Sequence, residues 1–266
     1  MTVTQAMQEF FYVSPSDVSE HKLTVTGEEA RHIARVLRHK KGDKLVFTDG
    51  TGVEYECFLA AVSDHGVTAQ INARRRRTNE AIKRVTLAQA VPKGQRMDFV
   101  IEKGTELGLY GFIPLVTEHS VVRGPEERQA PPLPGFEDDP EGHKLERWKR
   151  IATAAMKQSL RSWLPEIAPF TKFADLMQRA DDYDLVLMAD EAERRNTLRA
   201  TVRSAKHEIR KVLCLVGPEG GFSDKEKDLA REKKAQVVSL GPRRLRSESA
   251  GILLSALALH ELGEME

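Results

Sequence analysis

From residue 84 onward the chain repeats one pattern: a short, nearly unbroken apolar run, then a stretch of helical length. The runs are RVTLAQAV (84–91), GFIPLV (111–116), YDLVLMAD (183–190), RKVLCLV (210–216) and AQVVSLG (235–241). Strands that are apolar at almost every position are buried on both faces, which happens in parallel sheets covered by helices. The intervening stretches fit. GQRMDFVIEKGTELGL is amphipathic and ends at a glycine, and LERWKRIATAAMKQSLRSW (145–163) predicts a long helix stopped by Pro165. SDKEKDLAREKKA predicts another helix, and a last one runs from about Ser247 to Leu262. The fold class is α/β with a mostly parallel sheet.

The first eighty residues have a different texture. KLTVT, DKLVFTDG, VEYECFLAAV and GVTAQINA are short alternating runs separated by glycine and aspartate turns. One amphipathic stretch, GEEARHIARVLRH, interrupts them, with Ile33, Val36 and Leu37 on one face and arginines around the rest. Short strands with one helix predict a small barrel-like domain. The expected organisation is therefore 1–78 as a β-rich domain and 79–266 as the α/β domain. Residues 124–143 hold five of the twelve prolines and little apolar material, so a mobile loop or insertion is expected there.

The chain has 266 residues, 40% hydrophobic and 30% charged, with no apolar run of membrane-spanning length and no secretory signal at its start. Its two cysteines, Cys57 and Cys214, sit in strand-like runs and read as reduced buried thiols, which places the chain in the cytoplasm. The eight histidines show no ligand spacing, so no metal site is expected. The net charge of +1 does not mark a nucleic-acid binder, but its distribution is uneven. Between Arg31 and Lys44 six basic residues face one acid, and residues 74–77 are four consecutive arginines. Local patches of this kind can meet phosphates.

Two strand ends carry the chemistry. In LVGPEGGFSDKE (215–226) a buried strand runs into Gly217-Pro218-Glu219-Gly220-Gly221, and Ser223 with Glu226 forms a capping box that opens a helix. Glycines at the carboxyl end of a parallel strand let a ligand approach the backbone, although a tight connection without a ligand explains them equally well. The stretch is neither a phosphate loop nor a dinucleotide fingerprint. In SLGPRRLRSESAGI (239–252) a second strand ends at Gly241, followed by Arg243, Arg244 and Arg246. Ser247 is placed to cap the last helix and Glu248 to sit in its first turn. Gln158 and Arg161, three apart, are expected on one helix face, where they either meet RNA or are simply solvated.

With these stretches in order, the chain resembles the 16S ribosomal RNA uridine-N3 methyltransferases of the SPOUT superfamily. RHIARVLRHKKGDKLVFTDGTG resembles that family's amino-terminal PUA-like RNA-binding barrel, KGQRMDFVIEKGTELGLYGFIPL and ERW…QS.R…P match in the middle, and the two glycine stretches match at the back. The resemblance implies a carboxyl-terminal domain tied in a trefoil knot, against the general rarity of knots. It implies a homodimer and a bent S-adenosylmethionine held by Gly217, Glu219, Gly220, Gly221, Leu240, Gly241 and Leu245. Arg31, His32, Arg35, Arg38, Arg123, Gln158 and Arg161 would meet the RNA of the small ribosomal subunit. The chain departs from the family at Ala154 and Lys157, where acidic residues are usual, and at Ser247-Glu248-Ser249, where Thr-Glu-Thr is frequent.

Uridine N3 carries a proton and becomes nucleophilic only when it leaves. Arg246 is the candidate to stabilise charge on the flanking carbonyls, and Glu248 is the candidate to accept the proton if it does more than favour its helix. Buried cysteines exclude a thiol nucleophile, so methylation of carbon 5 is disfavoured. The rival readings are another SPOUT enzyme, acting on a ribose 2′-hydroxyl or a tRNA guanine, and an RNA-binding assembly factor without a cofactor.

Overall fold

The computed structural model describes residues 10–76, 79–120, 140–205 and 208–265. The chain divides into two compact units, 1–80 with 153–164, and 81–152 with 165–266. The division falls two residues after the expected boundary, and the first unit also takes in residues 153–164, a segment far from it along the chain.

The first unit is built on five strands, β1 (Phe10–Tyr12), β2 (Lys22–Thr26), β3 (Lys44–Thr48), β4 (Val53–Val62) and β5 (Gly66–Arg76), in the order β1-β3-β4-β5-β2. All neighbours are antiparallel except β1, which runs parallel to β3. Register shifts in β4 near Glu56/Cys57 and Leu59/Ala61 are bulges of the kind that bend a sheet around its core. The alternation of the strands puts Leu23, Val25, Leu45, Phe47, Cys57, Leu59 and Val67 inside. The connection after β2 is the short helix α1 (Gly27–Arg31), which widens over His32–Val36 so that Leu37 N donates to His32 O, five residues back. Ala30 and Ile33 are buried against the sheet, and Arg31, Arg35 and Arg38 are exposed. Val36, expected on the buried face, is 66% exposed because the wide turn rotates it outward.

Residues 153–164 are hydrogen-bonded into this unit. Gly52 N donates to Ser162 O and Leu164 N to Gly50 O, each at 2.9 Å, and Thr48 Oγ1 donates to Ser162 O at 3.0 Å.

The second unit holds the parallel sheet: β6 (Arg84–Ala90), β7 (Gly111–Val116), β8 (Glu166–Ile167), β9 (Thr171–Lys172), β10 (Leu185–Ala189), β11 (Lys211–Val216) and β12 (Gln236–Val238). The order is β12-β10-β11-β6-β7-β8, with β9 also on β7, and every pairing is parallel. The helices are α2 (Arg96–Leu107), α3 (Pro140–Gln158), α4 (Phe173–Gln178), α5 (Leu198–Ser204), α6 (Asp224–Glu232) and α7 (Ser247–Glu261). Leu213 and Leu215 of β11 pack with Phe173, Leu176 and Ala230 on one face of the sheet, while α7 packs against β6 and β11 and against α2 and α5.

The five apolar runs all form strands, and α2 ends at Gly108 with φ +100°, as the glycine implied. Helix α3 is displaced relative to expectation. It begins at Pro140, inside the stretch read as an insertion, and stops at Gln158, seven residues before Pro165. Leu160, with φ +56°, turns the chain away. Residues 121–139, most of that expected insertion, lie outside the described residues.

Candidate active site

Strand β11 leaves the core at Val216 and enters the first glycine bend. Gly221 N donates to Pro218 O at 2.9 Å, and Gly221 takes φ +71°. The bend is fixed from behind by the predicted capping box: Ser223 N donates to Glu226 Oε2 at 2.8 Å and Glu226 N to Ser223 Oγ at 3.3 Å. The other oxygen of Glu226 accepts from Glu118 N at 2.9 Å, which anchors the loop after β7 to the same helix start. The second bend follows β12, with Gly241 at φ +104°. Its entry is fixed where Ser239 N donates to Asn196 O at 2.8 Å.

The two bends meet. Together with the end of β10 they enclose a cavity of about 380 Å³, lined by Ala189–Glu191, Val216–Glu219, Gly221, Phe222, Leu240, Gly241, Arg243–Ser247 and Ala250. Six of the seven residues assigned to the cofactor line it; Gly220 instead faces His119, whose Cβ lies 3.3 Å from where a side chain at 220 would begin. A Cβ added at Gly221 or Gly241 would meet nothing within 4 Å, so both bends present bare backbone to open space. The walls are apolar at Val216, Leu240, Leu245 and Ala250 and carboxylate-bearing at Asp190, Glu191 and Glu219. A nucleoside fits this lining, with apolar faces for the base and backbone that no side chain screens at the bends, while each carboxylate pairs with a basic side chain: Asp190 with Lys227 at 3.1 Å, Glu191 with Arg244 at 3.2 Å and Glu219 with Arg96 at 3.1 Å. The volume falls within the range of small-molecule sites.

The Arg246 side chain is exposed at the cavity wall and makes no hydrogen bond or ion pair among the described residues, while its carbonyl accepts from Ala250 N at 2.8 Å. Arg244 pairs with Glu191 at 3.2 Å. Glu248 does not line the cavity. It lies behind the wall with Oε1 3.8 Å from Arg96 Nε, and its buried Oε2 has no partner. Arg96 also meets Glu219 at 3.1 Å. Ser247 does not cap α7 as expected. The N-cap is Arg246, and the Ser247 hydroxyl donates across the cavity floor to Gly217 O at 2.7 Å.

The RNA candidates are not gathered in one place. Arg31, His32, Arg35 and Arg38 share the exposed turn after β2, where Arg35 is engaged by Asp64 at 2.5 Å. Gln158 is exposed at the end of α3. Arg161 is a correction. It lies beyond the helix and shares no face with Gln158. It is 3% exposed and binds Glu80 through Nε at 3.1 Å and through a terminal nitrogen at 2.7 Å. Glu80 also accepts Ser162 N and Trp163 N, so this arginine is buried structure rather than an RNA contact. Arg74, Arg75 and Arg76 of the arginine run end β5, and Arg75 pairs with Glu56 at 2.5 Å. Arg77 and Arg123 lie outside the described residues.

Sequence reasoning missed Asp190, Glu191 and Phe222 as cavity walls and Gln89 beneath them. The signal for the first two was present, since YDLVLMAD ends a strand beside β11 and ligand crevices form at such ends. Burial pushes both thiols, Cys57 and Cys214, up to about 12, and neither borders the cavity. Among the described residues no group of three or more histidine, cysteine or acidic side chains could hold a metal, and no helix is long and apolar enough to cross a membrane.

Residues 78–259 match the RNA methyltransferase domain model, and residues 25–72 match the RNA methyltransferase PUA domain model. The chain belongs to this RNA methyltransferase family. The methyltransferase is 32% identical to ribosomal RNA small subunit methyltransferase E of Bacillus subtilis, over 95% of this chain and 96% of that one. It is 36% identical to the enzyme of the same name from Synechocystis, over 90% of this chain and 73% of that one. A crystal structure of ribosomal RNA small subunit methyltransferase E from Neisseria gonorrhoeae bound to S-adenosyl methionine superposes with a TM-score of 0.79 at 26% identity, covering 95% of this chain and 97% of that one.

Proposed function

We propose that this methyltransferase transfers the methyl group of S-adenosylmethionine to N3 of a uridine in 16S ribosomal RNA. The observation that carries the reading is the convergence of the two bare glycine bends on one cavity, with an uncommitted arginine at its wall. The relatives' names supply the ribosomal substrate.

S-adenosylmethionine supplies, when bound, an electrophilic methyl group on a sulfonium. Val216–Glu219, Gly221, Leu240, Gly241 and Leu245 hold it. Arg246 lies against the uracil ring and offsets the negative charge that appears on its carbonyl oxygens as N3 loses its proton. Glu248, behind the wall with one buried carboxylate oxygen that has no partner, is assigned to accept that proton. Orientation supplies the rest, since the donor and the ring must meet in line. The β-rich unit holds the RNA by Arg31, His32, Arg35 and Arg38, with Gln158 as a further contact; it acts as the PUA-like RNA-binding domain of the expected two-domain plan.

A second copy of the chain completes the enzyme. Between Ala250 and Leu259 helix α7 is apolar at every position but Ser255, with Ile252, Leu253 and Leu257 only partly buried, and Phe99 of the neighbouring α2 is exposed. The trefoil knot belongs to the same reading. In its favour, β10 lies between β11 and β12, so the chain leaving β12 must pass the 217–221 bend before α7 reaches β6. The enzyme works in the cytoplasm, where ribosomes are assembled.

The test is methyl transfer in vitro to small subunits from a strain lacking the enzyme, with the product nucleoside mapped by mass spectrometry. 3-Methyluridine is the expected product. A methyl on ribose or guanine refutes the atom assignment, and absence of cofactor binding by calorimetry refutes the enzyme reading altogether.

A further inference from the structure

Gln89 is fully buried at the end of β6, and it has no place in the chemistry described so far. Its amide nitrogen donates to Ser247 Oγ at 2.7 Å. Ser247 Oγ in turn donates to Gly217 O at 2.7 Å. Because the hydroxyl accepts from Gln89, its one proton is left for the glycine carbonyl, and the direction of the chain of bonds is set by the amide. The same amide also reaches Ala90 O at 3.2 Å, so both its hydrogens are engaged.

The other end of the side chain is costly. Gln89 Oε1 is buried without a hydrogen-bond partner. It occupies the space that a side chain at 251 would need, 2.2 Å from an ideal Cβ there. The sequence thus keeps a glycine inside α7 and an unsatisfied acceptor inside the core. A leucine at 89 would remove the unsatisfied acceptor, although a Cβ at 251 would still lie 3.3 Å from Leu87 Cδ2. The benefit that offsets them lies at the donor end. Gly217 opens the first bend, and Ser247 follows Arg246 at the start of α7. The relay therefore fastens the bend after β11 to the helix start that carries Arg246.

We infer that Gln89 is a positioning residue, which through Ser247 fixes the Gly217 peptide and thereby the shape of the cofactor cup. This inference rests on the cofactor reading above, but part of its test does not. The Gln89→Met variant keeps the size of the side chain and removes the donor; Ser247→Ala removes the middle oxygen. In the protein without cofactor, amide hydrogen exchange at Gly220, Gly221 and Phe222 should accelerate in both variants, while exchange in β3 and β4 stays unchanged. In calorimetry each variant should bind S-adenosylmethionine about tenfold more weakly, the size of one hydrogen bond. The double variant should be no weaker than either single one, because the two residues act as one unit. Ser247→Thr, which keeps the hydroxyl, should bind within about twofold of the wild type. The apparent KM for RNA should not move in any of them.

Exchange confined to global unfolding, unchanged cofactor affinity in a variant with lowered melting temperature, or losses that multiply in the double variant would each overturn the inference. Should Gln89→Met not fold, Ser247→Ala and Ser247→Thr carry the same comparison. If the wild type binds no S-adenosylmethionine, the cofactor reading fails, and the exchange measurement still decides whether the relay fixes the bend.

Discussion

Arg161→Met separates a structural arginine from an RNA-binding one. The side chain of Glu80 is 5% exposed and accepts four hydrogen bonds: two from Arg161 and one each from Ser162 N and Trp163 N. Removing the guanidinium leaves a buried carboxylate without its counter-charge, which costs about 3–5 kcal/mol. The two backbone donors remain in place at 2.8 Å, so the lower end applies, about 3 kcal/mol. For a protein of this size each kcal/mol shifts the midpoint by roughly 2–4 °C, which gives a loss of roughly 6–12 °C. Thermal unfolding followed by circular dichroism measures it. The companion Arg161→Met/Glu80→Gln removes both charges and should recover a good part of the loss, because the stranded charge is then gone. Well below the new midpoint, rRNA affinity and its salt dependence should match the wild type. A variant that melts within about 1 °C of the wild type but binds rRNA tenfold more weakly would refute the reasoning and return Arg161 to the RNA surface.

The remaining expectations concern charge and protons. Arg246→Ala should lower methyl transfer by about 10²–10³ with cofactor affinity unchanged, and wild-type rates would remove its role. Glu248→Gln should slow turnover while leaving the fold intact, and full activity would assign the carboxylate to the helix start alone. Arg38→Ala should reduce the slope of log affinity against log salt by about one. Arg35→Ala should do less, because Asp64 already holds that guanidinium, and equal effects would argue against the pair. Burial raises both thiols to about 12 and Tyr55 to about 12, chiefly by desolvation and, for Tyr55, also by its bond to Asp49. A raised value favours the protonated folded form, so this stability is full below pH 9 and is lost as pH climbs toward 12. Native protein at pH 8 should therefore resist thiol reagents, and alkaline unfolding should set in above pH 9; fast labelling at pH 8 would contradict the burial.

The parallel sheet was readable because its strands are apolar at nearly every position, a pattern that only double-sided burial produces. The edge pieces β8 and β9 were not, since two-residue strands carry no period. The glycine bends announced themselves through Gly217–Gly221 and Gly241, and the capping box through Ser223 and Glu226. Ser247 misled because a serine before a helix has the same spelling whether it caps its own amides or reaches a carbonyl thirty residues away. Arg161 misled for a related reason: three-residue spacing implies a shared face only while the helix lasts, and Leu160 ends it. Gln89 was visible as a polar residue in an apolar strand, yet its partner lies 158 residues away.

Because residues 153–164 complete the amino-terminal unit, that unit is not a bead that can be cut from the string. A fragment ending at Glu80 would retain the acid but lose Arg161, Ser162 and Trp163, and the turn at Gly50–Gly52 would lose its hydrogen-bonded mate. Grafting the first eighty residues of one relative onto the remainder of another should accordingly yield poorly soluble hybrids, unless the 153–164 segment travels with them. Divergence in the two pieces is then expected to proceed in step, with the acid at 80 and the arginine at 161 inherited as a couple.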